Sequence, residues 1–156
     1  MPLIIRHVVI GAIVIVVQWL VFGRLTILGA TPDAVLLFVA WIGLSYGRRS
    51  GAVVGFFMGL VMDAILDTWG MHMMLKTVVG FVLGLLPSDE YDELVILPRQ
   101  ALLGGFVIAF LHNGLQVVFL AIQSGAASTS LTLSVWLGSA IYTALVGTLF
   151  ALFAVR

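Results

Sequence analysis

The feature that most constrains this chain is uninterrupted apolarity: stretches such as Val8 to Val17 and Leu145 to Val155 contain no charged side chain and no polar alternation. Such stretches recur along the whole sequence, each long enough, or nearly so, to cross a hydrocarbon layer of about 30 Å. Inside lipid only helices and closed barrels satisfy their own backbone groups. Barrel strands alternate apolar and polar residues over segments of about ten, and these stretches do not. The sequence therefore predicts an all-α, polytopic membrane protein. With 62% hydrophobic and 9% charged residues in a chain of 156, no sizeable soluble domain fits beside it.

Polar punctuation divides the chain into six predicted transmembrane helices forming a single bundle, at about 8–28, 32–46, 52–67, 71–86, 99–123 and 132–155. Pro32 and Asp33 mark the start of helix two, because Pro suits a first helical turn and Asp accepts from free amides. The turn Gly47-Arg48-Arg49-Ser50-Gly51 closes that helix, and the break at Trp69-Gly70 separates helices three and four. An acidic loop, 88–93, is the longest polar connection. Arg6 ahead of an apolar run resembles the start of a signal sequence, but no good small-x-small cleavage site follows, so a retained first helix is expected. Six helices place both termini on one side. If that side is cytoplasmic it holds Arg6, Arg48, Arg49, Arg99 and Arg156, against Arg24 and Lys76 opposite. This is the direction of the positive-inside rule.

The formal net charge of +0 carries no arm for nucleic acid. Cysteine is absent, which removes thiolate catalysis and thiolate-held metal. No serine–histidine–carboxylate set, HExxH motif, phosphate-binding loop or catalytic carboxylate pair can be assembled. A metal on Asp63, Asp67 and His72 matches no established ligand spacing. No enzyme activity, cofactor or metal is expected.

The informative residues are small or polar and sit inside helices. Gly51, Gly55 and Gly59 recur every fourth residue, Gly80 and Gly84 form a second pair, and Ser139, Thr143, Gly147 and Ala151 a third stripe. Small stripes let helices approach closely in lipid; they serve either packing within the bundle or docking of a partner's helix. Asp63 and Asp67 follow the first stripe at the same step. A carboxylate within a membrane helix costs about 2.5–3.5 kcal/mol at the centre. Asp67 is expected at the hydrated outer interface. Asp63, one turn deeper, is expected to accept hydrogen bonds from a neighbouring helix end, with Lys76 as a possible counter-charge. His112, Asn113 and Gln116 fall near the middle of helix five, as interhelical hydrogen-bond partners or as a small polar pocket for a ligand or lipid head group. Trp19, Trp41, Trp69 and Trp136 form no box and suit interfacial belts.

The stretch from Pro32-Asp33 through GAVVGFFMGLVMDAILDTWGMHMMLKTVVGFVLG resembles the rod shape-determining protein MreD family. The resemblance rests on Pro32, on Gly55-Phe56 and Gly59-Leu60 leading to Asp63, on Gly70 after a short break, and on Leu75-Lys76 and Gly80. It implies a multi-pass protein of the bacterial inner membrane. It further implies a non-enzymatic scaffold of the cell-elongation complex, which binds MreC and helps couple MreB filaments to peptidoglycan synthesis by RodA and its transpeptidase partner. The family is also similar in fold to the membrane substrate-binding subunits of energy-coupling-factor transporters, which supplies the rival expectation of vitamin or small-solute binding. Short outer loops argue for the scaffold.

Overall fold

The computed structural model describes residues 3–68, 70–86, 96–124 and 132–154. The acidic loop 88–93, Trp69 and Arg156 lie outside the described residues. Among the described residues the chain is helical, with a lone antiparallel bridge between Ile27 and Ala30. Helix α1 spans Leu3–Val17 and continues as a π-helical stretch, Gln18–Phe22. Helix α2 spans Ala34–Leu66, α3 Met71–Leu83 and α4 Pro98–Ser124. Helix α5, Ser139–Ala154, is entered through a second π-helical stretch, Ser134–Gly138.

The long helix α2 is not straight. Gly47 sits at φ 80°, ψ 176°, a conformation that costs a residue with a Cβ but not glycine. A Cβ on Gly51 would lie 2.8 Å from Cα of Gly43, eight residues back. In a continuous helix eight residues advance about 12 Å, so the chain folds back on itself at Gly47 into two limbs, 34–46 and 48–66. The turn is tighter than the five residues the sequence suggests: one glycine makes it, and Arg48 to Gly51 are already helical.

Among the described residues four helices are long and apolar enough to cross a membrane, namely Ile4–Phe22, Ala34–Leu66, Pro98–Ile122 and Trp136–Phe153, while α3 is shorter. Length and composition thus give four candidate crossings, not the expected six, because α2 counts once and α3 falls below the limit.

The first helix also ends earlier than expected, at Phe22 and not near Leu28. Leu25, Ile27 and Leu28 continue the apolar run, but Leu28 at φ 52° and Gly29 at φ 83° are left-handed and close a tight turn. The return segment is held against α1 by Gln18, as described below.

The contact between α2 and α3 is the most extensive in the molecule, followed by that between α4 and α5. Val35, Phe38, Val39, Ile42, Met58 and Met62 form an apolar cluster between the two limbs of α2, with α1 packed on it through Ile10, Val14 and Ile15. Leu36, Ala109 and Ala140 form a second cluster, which joins the first limb to α4 and α5. Large apolar side chains also face outward along every helix, as lipid requires.

Candidate functional site

The glycine stripes meet each other. A Cβ on Gly59 would lie 2.5 Å from the His72 carbonyl, and one on Gly43 2.7 Å from the Gly80 carbonyl. On Gly51 it would overlap the Gly80 carbonyl, on Gly55 that of Lys76, on Gly80 that of Gly51, and on Gly84 the backbone of Arg48. The second limb of α2 and helix α3 therefore pack antiparallel, backbone against backbone. Of the two purposes open to Gly51, Gly55, Gly59, Gly80 and Gly84, internal packing is what the structure displays. These faces are filled by the chain itself. The third stripe is internal as well: Ser139, Thr143 and Ala151 are buried, and Gly147 accommodates Leu37.

Asp63 terminates this hairpin. It is fully buried and accepts four hydrogen bonds. Oδ1 takes the Thr68 hydroxyl at 3.0 Å and the His72 amide at 2.9 Å; Oδ2 takes the amides of Gly70 at 3.0 Å and Met73 at 2.9 Å. The first turn of a helix leaves its amides unpaired, and Gly70 has no side chain to cap them. A carboxylate supplied from the preceding helix meets that need and the positive end of the α3 dipole together. Asp67, one turn on, is exposed in a left-handed conformation at the helix end, φ 55°.

The counter-charge expected for Asp63 goes elsewhere. Lys76 is fully buried and its Nζ pairs with Asp33 Oδ2 at 2.5 Å. Asp33 in turn caps the first limb of α2, Oδ1 accepting from the Leu36 amide at 2.8 Å. The segment before it belongs to no helix, yet Pro32 is buried. Non-helical backbone at membrane depth survives only when protein groups satisfy it. Here side chains from both flanking helices do so. Gln18 Nε2 donates to the Pro32 carbonyl at 2.8 Å and its Oε1 accepts from the Ala34 amide at 2.8 Å. The Thr31 amide donates to Ser139 Oγ at 3.1 Å, and the Asp33 amide to Thr143 Oγ1 at 3.0 Å. Gln18 opens one π-helical stretch and Ser139 follows the other, so both local widenings serve this segment.

His112 and Asn113 complete the group. Both are buried, and His112 Nδ1 lies 3.1 Å from Asn113 Oδ1. His112 lies within electrostatic range of Asp33, Lys76 and His72. Gln116 is only half-buried and makes none of the hydrogen bonds of the group. Of Asp63, Asp67 and His72, Asp63 spends both oxygens on amides at the start of α3 and on a hydroxyl. Among the described residues no group of three or more His, Cys, Asp or Glu is placed to hold a metal ion. What the arrangement does chemically is fasten. Four helices meet at the 31–34 segment, and the ion pair ties α2 to α3. Gln18 and the Asp33–Lys76 partnership are the elements that sequence reasoning missed, together with the hydrogen-bonding role of Ser139 and Thr143, which it reads only as part of a small-residue stripe. The signal available was that Lys76, an ammonium within an apolar helix, needs a carboxylate of its own.

A family model, rod shape-determining protein MreD, matches residues 2–156. The chain belongs to the MreD family. Membership gives it a role in determining rod shape, as part of the Mre shape-determining complex and therefore with protein partners. MreD is a structural membrane protein family and not a known enzyme family. No curated protein and no solved structure matches this MreD-family chain.

Proposed function

We propose that the chain is a non-enzymatic scaffold of the cell-elongation complex in the bacterial inner membrane, binding MreC directly. Through MreC it helps couple MreB filaments to peptidoglycan synthesis by RodA and its transpeptidase partner. The observation that carries this reading is the family match over essentially the whole chain. The disposition of the polar groups supports it. Asp63, Asp33, Gln18, Ser139 and Thr143 are all engaged in holding backbone or pairing charge. The groups of this set that could bind or transform a solute are thus committed to rigidity, which is what a scaffold requires.

In this reading the chain crosses the membrane six times, with each limb of α2 and the short α3 counted as a crossing and both termini in the cytoplasm. The fold-back at Gly47 supports the count. Arg6, Arg48, Arg49 and Arg99 all fall at the end of the bundle that carries the N-terminus, the Gly47 turn and the start of α4. Lys76 no longer counts for the opposite side, since its charge is buried and paired; Arg24 alone remains there among the described residues. The asymmetry required by the positive-inside rule is stronger for it.

The test is affinity purification of the full chain from native membranes, with mass spectrometry of co-purifying proteins and of any retained small molecule. MreC is expected in stoichiometric amount. A retained vitamin with no Mre protein would replace the scaffold by the solute-binding reading.

A further inference from the structure

The buried polar group contains more hydrogen-bonding capacity than its protein partners use. An ammonium has three N–H donors, and Lys76 spends one on Asp33. Asn113 Oδ1 only accepts, so His112 Nδ1 carries the proton and Nε2 is left as an acceptor. Among the described residues no group pairs with His112 Nε2, Asn113 Nδ2 or His72 Nδ1, and the three residues are 1%, 4% and 6% exposed. An unmet buried polar atom costs about 1–3 kcal/mol; those of His112 and Asn113 lie on adjacent residues, within electrostatic range of Lys76 and His72, and constitute a specific demand.

The chemistry of the demand selects the occupant. A metal cation is disfavoured because the Lys76 ammonium stands among the candidate ligands. An anion gains little, because that ammonium is already neutralised by Asp33. The open positions are of both kinds, donors on Lys76 and Asn113 and an acceptor on His112. A molecule that satisfies them must donate and accept at once and carry no net charge. Buried water has this character and makes about three hydrogen bonds to such groups. There is also a way in: the Asp33 side chain is 19% accessible while its partner Lys76 is closed off at 0%.

We propose that the Asp33–Lys76 and His112–Asn113 pairs enclose an intramembrane water site, which fills past the Asp33 carboxylate. The site lies on the seam where the α2–α3 hairpin meets α4 and α5.

Radiolytic hydroxyl-radical labelling of the full chain in lipid nanodiscs, read by mass spectrometry, tests the site, because water held beside a side chain supplies the radical locally. Met58 and Met62 are the dry comparators, being 7% and 6% exposed within an apolar cluster. After correction for intrinsic reactivity, His112 is expected to label faster than both. Asn113→Leu is expected to abolish that labelling and leave Met58 and Met62 unchanged. His112 as protected as the two methionines in the wild-type chain overturns the proposal, and so does undiminished labelling in a folded Asn113→Leu chain. Should that variant not fold, the wild-type comparison decides alone. Native mass spectrometry supplies the other arm: a larger solute retained by the chain and lost on His112→Phe substitution would show that water is not the occupant.

Discussion

Single carboxylates set the local structure of this protein, and each is specific in a way that a generic polar residue cannot reproduce. Asp63 presents two oxygens to four donors. Asn in its place turns one oxygen into a donor, which faces the Gly70 and Met73 amides at one position and the His72 amide at the other, so Asp63→Asn is expected to be damaging, though less so than Asp63→Ala. The Ala variant should cost on the order of 3 kcal/mol, from lost capping and unmet buried amides, read as a fall in unfolding midpoint in detergent. Asp67→Ala should cost far less, and Asp67→Gly should match or exceed wild type, because Asp67 is exposed at φ 55°. A different logic governs Asp33 and Lys76. Lys76→Met leaves an unpaired carboxylate and should cost about 3–5 kcal/mol. The double variant Lys76→Met with Asp33→Asn removes both charges, keeps the Oδ1 cap on Leu36, and should recover most of that loss. A double variant no more stable than the single would show that the charge pairing is not what matters there.

At the scale of helices, the glycine stripes were legible because a four-residue period survives in the sequence whatever lies opposite. Their occupant was not, because a stripe specifies close approach and not the identity of the neighbour. The end of α1 was misread for the opposite reason. Leu25, Ile27 and Leu28 extend the apolar run, whereas the helix stops where Gln18 must reach across to Pro32 and Ala34, 14 and 16 residues on. That constraint is tertiary, with no local signature. The paired stripes predict an inversion of the usual glycine rule. Gly→Ala within a helix normally stabilises by about 0.5–1 kcal/mol. At Gly104, where a Cβ would meet nothing within 4 Å, that gain is expected. At Gly55 the same substitution drives a methyl into the Lys76 backbone and should separate α2 from α3. The measurement is resistance to detergent-induced unfolding of the two single variants, side by side. A Gly55→Ala chain as resistant as wild type would mean that the limbs are not in backbone contact.

For the molecule as a whole, the geometry at Gly47 turns the number of membrane crossings into a question of sides. If Ala34–Leu66 were one straight span, Leu28 and Asp67 would lie on opposite faces of the membrane and Arg49 would sit near its middle. If the two limbs each cross, Leu28 and Asp67 share a face and Arg49 lies on the other. The natural chain contains no cysteine, so single substitutions read without background. Leu28 is 89% exposed at the tip of its turn, and Asp67 and Arg49 are exposed as well. Leu28→Cys and Asp67→Cys are therefore expected to react with a membrane-impermeant maleimide added outside intact cells. Arg49→Cys should react only after the inner face is opened. Labelling of Leu28→Cys and Asp67→Cys from opposite faces would restore a single long helix. The buried ion pair argues against that outcome. Asp33 begins the first limb, and Lys76 lies one helical turn into α3, the helix packed along the second. Residues so placed can meet at 2.5 Å only if the chain has turned back between them.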